Sequence, residues 1–325
     1  MSLYPPPEIR ELEVFTRLPD HFADPERTSG WIDANKPGQQ VPSFLEGPCF
    51  NRDGELYVTD IPHGRIFRID RGGKWELVTE YDGWPNGLAL HRDGRIFIAD
   101  YKNGVMVLDP QSGRVSPVLT SIRSEGFKGV NDLTFDRDGR LYFTDQGQTG
   151  MHDPTGRVYR YDLKTERLDV LLDNCPSPNG LVFNPEETAL YVAMTRGNAV
   201  WRAPIHPNGS TSKVGVFTQL AGGVSGADGM AMDQAGSLAV CDAGNGCVWT
   251  FSKWGEPNLR LASPTGGRTT TNIAFDPIDA KRVVVTESDT GMILTLTLDW
   301  VKSDVGCGAP AGRRRQPELR LAPFR

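Results

Sequence analysis

The chain has 325 residues, of which 38% are hydrophobic, with a formal net charge of −6 and a sequence pI of about 5.5. This acidic balance argues against a nucleic-acid partner, because proteins that bind nucleic acids present basic surfaces. No apolar run approaches the ~20 residues that a membrane span requires, and the first residues lack the apolar segment of a secretory signal, so we expect no membrane partner and a cytoplasmic location.

The first predicted element is a strand at Glu13–Leu18, which precedes a long connection at residues 19–43 that is rich in Pro, Gly, Asp and Asn. We expect this strand to pair with the last of the repeats described next, and so to close them into a ring without open edges. Long connections in compact domains are often functional, and this one could fold over a channel mouth. We assign residues 1–43 to an N-terminal closing strand and loop.

From Phe44 to about Leu298 the chain repeats itself. A carboxylate or carboxamide recurs in similar local contexts, at separations of 40, 45, 48, 49 and 44 residues. The recurring residues are Glu46, Asn86, Asn131, Asn179, Asp228 and Asn272. An apolar run and a turn follow each of them, and in four copies a second apolar run ends at Asp60, Asp100, Asp145 or Asp242. A repeat of this length indicates an array of similar supersecondary units.

The repeats predict the fold. Each contains several short strand-like runs and no helical period, and the first reads PCFNRD, ELYVTD, RIFRID and KWELVTEY. Asp-Gly and Gly-Gly turns separate the runs, which is typical of an antiparallel meander. About four strands per ~45 residues, six times over, predict an all-β, six-bladed β-propeller with four antiparallel strands per blade around a central channel. A β-sandwich or two smaller β domains is the alternative. We assign the propeller to residues 44–300 and a C-terminal tail to residues 301–325.

The recurring residues predict a metal site. Equivalent positions in the blades of a propeller face one axis, so the two acids and four amides are expected to converge at one mouth of the channel. Buried together they would be costly to desolvate, and Glu46 and Asp228 would repel each other. A bound cation resolves both problems, and a donor set of oxygen alone suits Ca²⁺, Mg²⁺ or Mn²⁺ rather than structural zinc. The alternative is that the Asn-Gly and Asp-Gly pairs are ordinary turns, which leaves Glu46, Asn131 and Asn272 unexplained.

Four motifs, LEGPCF, GVNDLTFDRDGRLYFTD, SPNGLVF and ADGMAMD, resemble those of the SMP-30/gluconolactonase family, which is similar in turn to the diisopropylfluorophosphatase type of propeller. The resemblance covers roughly Phe15 to Leu298 and implies one catalytic divalent cation in the channel. It implies that Glu46, Asn179 and Asp228 are metal ligands, and that Asn131 is a fourth ligand or a substrate contact. We expect Ca²⁺, with Mg²⁺, Mn²⁺ or Zn²⁺ as alternatives.

The resemblance also suggests further substrate contacts. Asn86 and Asn272 are expected to line the pocket, and His152 lies in a stretch that resembles the blade-three loop of bacterial lactonases. Gly129 stands where the vertebrate gluconolactonase branch has an Arg, which weakens the case for a sugar-acid lactone. Ala231 and Ala274 stand where the fluorophosphatase type has an Asp and a His at a second, buried calcium site, which favours the lactonase branch.

These observations lead to a hypothesis of metal-dependent hydrolysis of a lactone to its hydroxy acid. A bound cation polarises the carbonyl and lowers the pKa of water, and Asp228 would take the proton as general base. The partner is then a small-molecule lactone, and the protein a monomer or small homo-oligomer. The alternatives are a phosphotriesterase- or fluorophosphatase-like hydrolase, a non-catalytic propeller that binds a partner on its face, and a strictosidine-synthase-like propeller without a metal.

Overall fold

Strands make up about half of the residues that the computed structural model describes, which are residues 6–222 and 226–298. Two strands precede the first blade: β1 (Glu8–Glu11) and β2 (Glu13–Arg17). Six sheets then follow one another, and apart from the two N-terminal strands each is an antiparallel meander that runs in chain order from its innermost strand outward. This arrangement confirms the predicted six-bladed propeller with four antiparallel strands per blade.

The blades have the following strands. Blade one contains β3 (Leu45–Phe50), β4 (Leu56–Asp60), β5 (Arg65–Ile69) and β6 (Trp75–Glu80). Blade two contains β7 (Pro85–Leu90), β8 (Ile96–Asp100), β9 (Gly104–Asp109) and β10 (Arg114–Leu119). The short pair β11 (Ser121–Ile122) and β12 (Glu125–Gly126) connects it to blade three, which contains β13 (Val130–Phe135), β14 (Leu141–Asp145), β15 (Gly156–Asp162) and β16 (Arg167–Cys175).

The second half repeats this plan. Blade four contains β17 (Pro178–Phe183), β18 (Ala189–Met194), β19 (Ala199–Pro204) and β20 (Gly215–Gln219). Blade five contains β21 (Gly226–Met232), β22 (Leu238–Ala243), β23 (Cys247–Phe251) and β24 (Pro257–Ala262). Blade six contains β25 (Thr270–Phe275), β26 (Arg282–Glu287) and β27 (Met292–Thr297). Its fourth strand comes from the N-terminus.

The N-terminal strands close the ring. As expected, β2 pairs antiparallel with β27 and so completes blade six. The sequence did not predict β1, which pairs in parallel with β24 as a fifth strand of blade five. Leu12, between the two strands, is only 2% exposed and packs into the core between blades five and six. One short segment thus ties two neighbouring blades together, which protects the edge of each.

The connection at residues 19–43 contains a 3₁₀ turn at Asp20–Phe22 and one helix, α1 (Gly30–Asn35), which begins after a capping Ser29. Two further 3₁₀ turns follow second strands of blades, at Ile61–His63 and Thr195–Gly197. The α1 residues Trp31 and Ile32 are buried against Ile61 and the start of blades one and two. Neither α1 nor any other helix in the described ranges is long and apolar enough to cross a membrane.

Four of the five cysteines lie in the described residues, and all four, Cys49, Cys175, Cys241 and Cys247, are free and buried. Cys241 and Cys247 therefore fill core space and form no disulfide. The predicted tail at residues 301–325 lies outside the described residues.

Candidate metal centre

The recurring residues stand at an irregularity of the innermost strands. In blade two, the pairing with the second strand shifts between Pro85 and Leu88, which leaves residues 86 and 87 in a bulge. Shifts at corresponding places occur in the innermost strands of all the other blades. A bulge re-aims side chains, and such features gather at functional sites. The Asn-Gly and Asp-Gly pairs lie inside strands, so the interpretation of these pairs as turns is wrong.

In blade six, the register differs from the sequence alignment by one residue. Thr270 pairs with Glu287 and the shift ends at Ile273. Comparison with blade two therefore places Thr271 at the position equivalent to Asn86, and Asn272 one residue further along the strand. The equivalent of Asn272 is Asp132 of blade three. Each of these two side chains accepts a hydrogen bond at 2.8 Å from the next backbone N–H, which confirms the equivalence.

The glycines after the recurring residues allow neighbouring blades to approach closely. A Cβ atom on Gly87 would lie 2.1 Å from Asp132 Oδ1 and 2.8 Å from Asp132 Cα. A Cβ atom on Gly229 would lie 2.0 Å from Asn272 Cγ. These contacts are shorter than any side chain tolerates, so glycine is required for steric reasons and not for a turn.

We expect Gly87→Ala to destabilise the protein by about 3 kcal/mol, because the added methyl group would displace Asp132 and its backbone in a packed channel. The matched control is Gly215→Ala, since Gly215 also lies in a strand and an added Cβ would meet nothing within 4 Å. Urea unfolding of both variants measures the difference. Equal stability of the two variants would contradict this account of the channel.

Three carboxylates lie buried together in the channel. Glu46 is 3% exposed, and Asp132 and Asp228 are 9% exposed. Asn272 bridges two of them, since its Nδ2 donates to Glu46 Oε2 at 3.0 Å and contacts Asp132 Oδ2 at 3.4 Å. The amide of Asn272 is therefore engaged with the carboxylate cluster, although the sequence predicted a substrate contact there.

Burial raises the pKa of each carboxylate in this cluster. It raises the pKa of Glu46 to about 7, although the N–H of Gly47 and the amide of Asn272 favour the charged form. It raises the pKa of Asp132 to about 8, and the nearby Glu46 contributes. The pKa of Asp228 is raised well above its usual range by burial and by both other carboxylates, against a lowering effect of Lys36. The protein thus concentrates negative charge that only a cation or protons can neutralise.

Three buried oxygen atoms around this cluster have no hydrogen-bond partner among the described residues: Asn131 Oδ1, Asn179 Oδ1 and Asp228 Oδ1. Asn131 donates its Nδ2 to Gln146 Oε1 at 2.9 Å, which leaves its Oδ1 on the opposite side of the amide. Asn179 hydrogen-bonds to the Asp228 carboxylate. Buried polar atoms are rarely left unpaired in native proteins, so these three oxygens call for a ligand.

The donor chemistry fits a hard divalent cation. The unpaired atoms are carboxylate and amide oxygens, which are the ligands of Ca²⁺ and Mg²⁺. Within residues 6–222 and 226–298, no group of three or more His, Cys, Asp or Glu residues is arranged to hold a metal ion. A site here would therefore depend on amide oxygens as well as on Glu46 and Asp228.

The aspartates that end the second strands of blades one to three have a structural role. Each accepts a hydrogen bond from a backbone N–H two residues before a recurring residue. The bonds are Phe44 N to Asp60 Oδ1 at 2.8 Å, Trp84 N to Asp100 Oδ1 at 3.1 Å and Gly129 N to Asp145 Oδ1 at 2.8 Å. These aspartates hold the beginning of the innermost strands and so help to place the channel residues.

A cavity of about 550 Å³ opens beside the channel between α1 and the loops of blades three and four. Its lining comes from Asn35 of α1, residues 146–152, Ser177, and the pair Thr195 and Arg196. At the mouth of this cavity, Gln148 connects the loop of blade three to α1 and to blade two. Its Nε2 donates to Asn35 Oδ1 at 2.9 Å and to the Tyr101 hydroxyl at 3.1 Å. The connection at residues 19–43 therefore contributes to the mouth.

The two other predicted substrate contacts, His152 and Asn86, lie in different surroundings. His152 is exposed and lines this cavity, as a substrate contact would. Asn86 is buried beside blade one and does not line the cavity. Its backbone carbonyl oxygen accepts a hydrogen bond from Thr59 Oγ1 at 2.9 Å.

The sequence analysis missed three residues of this region: Asp132, Gln146 and Arg196. A signal for Asp132 was present, because it follows Asn131 at a repeat position that is glycine in blades one, two, four and five. A carboxylate at a position that is glycine in four other blades departs from the pattern of the repeat. Gln146 and Arg196 lie in loops outside the repeat, where the sequence carries no periodic signal.

Known proteins resemble this chain in sequence and in fold. The family profile of the SMP-30/gluconolactonase/LRE-like region matches residues 44–289. A lactonase drp35 from Staphylococcus epidermidis is 28% identical over 245 residues, which are 72% of this chain and 73% of that protein. A Xanthomonas campestris gluconolactonase structure has a TM-score of 0.68 at 22% identity and covers 84% of this chain and 95% of its own. An Agrobacterium tumefaciens structure, described as the calcium-binding protein regucalcin, has a TM-score of 0.68 at 21% identity and covers 89% of this chain and 95% of its own.

Proposed function

Because the chain belongs to the SMP-30/gluconolactonase/LRE-like family, we propose that it is a metal-dependent lactone hydrolase, which opens a lactone to its hydroxy acid. The observation that carries the proposal is the set of three unpaired, buried oxygens beside three buried carboxylates in one channel. A propeller that only binds partners on its face has no need of such a cluster. The lactonase names of relatives support the reaction class.

Glu46, Asn179 and Asp228 would hold one divalent cation, which we propose is Ca²⁺. Asn131 would either complete this set or contact the substrate, since its Oδ1 is also unpaired. When bound, the cation supplies Lewis-acid chemistry, by which it polarises the lactone carbonyl and acidifies water. It also offsets the repulsion among the three carboxylates, as the cluster requires.

The residues of the chain account for the remaining steps. Asp228 would act both as a ligand and as the general base, since its carboxylate is buried in the channel and its Oδ1 has no hydrogen-bond partner in residues 6–222 and 226–298. Asp228 would take a proton from water as the water oxygen adds to the carbonyl carbon, and would return it to the ring oxygen as the ring C–O bond breaks, so that this oxygen leaves as a hydroxyl. Burial and the two other carboxylates raise the pKa of Asp228, and only the hydrogen bond from Asn179 and the charge of Lys36 favour its ionised form, so the base needs the positive charge of the bound cation. Asn35, in the segment at residues 19–43, would contribute to the wall of the substrate cavity.

The test is pH-stat titration of a panel of lactones with the protein as purified, after chelation, and after each divalent cation is restored. We expect acid release that chelation abolishes and Ca²⁺ restores. Turnover that persists after complete chelation would contradict metal dependence. If no lactone is hydrolysed while the cation remains bound, the proposed reaction is wrong, and phosphotriesters become the next substrates to try.

We expect Gln146→Leu to lower kcat by about 10-fold, because Asn131 loses the hydrogen bond that orients its amide. Gln146→Glu keeps an acceptor for the Asn131 Nδ2 atom and should retain most of the activity. Steady-state kinetics on the best lactone of the panel measures both variants. Equal loss in the two variants would show that the side chain of Gln146 does not act through the orientation of Asn131.

A further inference from the structure

The cavity at the mouth carries positive charge without any acidic residue. Of its lining residues, Arg196 is charged at every pH at which the protein is folded, and the others are amides, hydroxyls, glycines, Met151 and His152. Arg196 is exposed and forms no salt bridge with any residue within 6–222 and 226–298. A guanidinium group that faces a substrate cavity without a carboxylate partner is available to a ligand.

The backbone that carries Arg196 is fixed relative to the candidate metal ligands. Thr195 N donates to Ser177 O at 2.9 Å, and Thr195 Oγ1 donates to Ala227 O at 2.8 Å. Ser177 lies two residues before Asn179, and Ala227 directly precedes Asp228. These two hydrogen bonds therefore fix the backbone at Arg196 relative to Asn179 and Asp228.

The blade-three loop adds a second polar group beside Arg196. A Cβ atom on Gly150 would lie 3.2 Å from His152 Nδ1 and 3.5 Å from Arg196 Cγ, so both side chains flank this glycine on one wall of the cavity. The wall therefore places the aliphatic stem of Arg196 beside an imidazole nitrogen, and the guanidinium group at the end of this stem belongs to the same cavity lining. This arrangement suits a planar anion that accepts two parallel hydrogen bonds, as a carboxylate does.

From this juxtaposition we propose that the lactone substrate carries a carboxylate group, which Arg196 binds at the mouth while the lactone carbonyl reaches the channel. The inference rests on the proposed function and names the substrate class for it: monolactones of dicarboxylic hydroxy acids. The carboxylate takes no part in the chemistry. It supplies binding energy and orientation, and Arg196 is a specificity-determining residue.

The test compares matched lactones that differ only in charge. The probes are the γ-lactone of 2-hydroxyglutarate and D-glucaro-1,4-lactone, each alongside its neutral primary carboxamide, with the Ca²⁺-loaded protein. We expect kcat/KM to be higher for at least one of the carboxylates than for its carboxamide. Arg196→Gln should lower kcat/KM for that carboxylate by about 10- to 100-fold, mainly through KM, and change the carboxamide less than about 3-fold.

Two further variants make the outcome specific. Arg196→Lys keeps the charge without the planar pair of donors and should fall between the wild type and Arg196→Gln. Arg202→Gln makes the same charge change on β19 of the same blade, outside the cavity, and should leave both rates unchanged. Equal kcat/KM for carboxylate and carboxamide, or an equal loss on both in Arg196→Gln, would overturn the inference and leave lactone hydrolysis standing. Failure of the loaded wild type on all of these probes and on the wider lactone panel would overturn the proposed function, and with it this inference.

Discussion

Replacing Asp228 with Asn is expected to lower kcat by about 10³-fold on the lactone that the protein hydrolyses best. Asn keeps the size of the side chain and one oxygen donor, but it cannot take a proton from water. The same change removes one charge from three carboxylates that burial and mutual repulsion already destabilise. The cation-free variant should therefore unfold at a higher temperature than the cation-free wild type, so that lost activity cannot be attributed to misfolding.

The matched control is Asp233→Asn, which makes the same chemical change in the turn that follows β21 of the same blade. Asp233 accepts hydrogen bonds from the backbone N–H groups of Ala235 and Ser237 and lies outside the channel cluster. Its kcat should stay close to that of the wild type. Steady-state kinetics with saturating Ca²⁺ measures kcat of both variants. Near wild-type turnover of Asp228→Asn would mean that another group takes the proton.

Removal of the divalent cation is expected to produce the largest change in stability. A cation present at about 1,000 times its Kd stabilises the folded state by about 4 kcal/mol, provided that it does not bind the unfolded chain. Calorimetric unfolding with and without chelator measures this difference. The protein with Glu46→Gln should lose most of the gain, because it lacks one of the charged ligands.

The effect of the cation should depend on pH in a defined direction. In the cation-free fold, the pKa of Glu46 is raised to about 7 and that of Asp132 to about 8, whereas both lie near about 4 in the unfolded chain. The stability contributed by the protonated groups is thus fully present below about pH 4 and is lost as the pH rises through 7 to 8.

The cation-free protein should consequently be less stable at pH 8.5 than at pH 5.5, and the stabilisation that Ca²⁺ provides should increase over the same window. Cation binding near pH 7 should also release protons, which calorimetric titration in two buffers of different ionisation enthalpy measures. Parallel pH profiles with and without Ca²⁺ would contradict the placement of the cation beside these carboxylates.

The repeat made most of the fold predictable. A polar residue every 40 to 49 residues, followed by short strands and Gly turns, specified six blades and the innermost position of each. The same periodicity predicted that Glu46, Asn179 and Asp228 would reach one channel, because the axis of a propeller brings equivalent positions together. Closure by Glu13–Arg17 followed from the need to cover the edge of the last blade.

What the repeat could not predict depends on contacts between blades and between loops. When the repeats are aligned on their carboxylate and carboxamide residues, Asn272 falls at the recurring position of blade six. The strand register of blade six instead places Thr271 at that position. The sequence marks Asp132 as a departure from a repeated glycine, but its close packing against Gly87 is a contact between blades that the repeat does not specify. Helix α1 and the meeting of His152 with Arg196 arise from segments outside the repeat, where tertiary packing decides the conformation and no periodicity reports it.

The most direct test of the central claim is a crystal structure of the protein grown with Ca²⁺, with a second data set in which Mn²⁺ replaces it and is located by anomalous scattering. We expect one cation in the channel, with oxygens of Glu46, Asn179 and Asp228 at about 2.3–2.6 Å from Ca²⁺. An anomalous peak elsewhere, or an active protein with no cation bound by these three residues, would contradict the account.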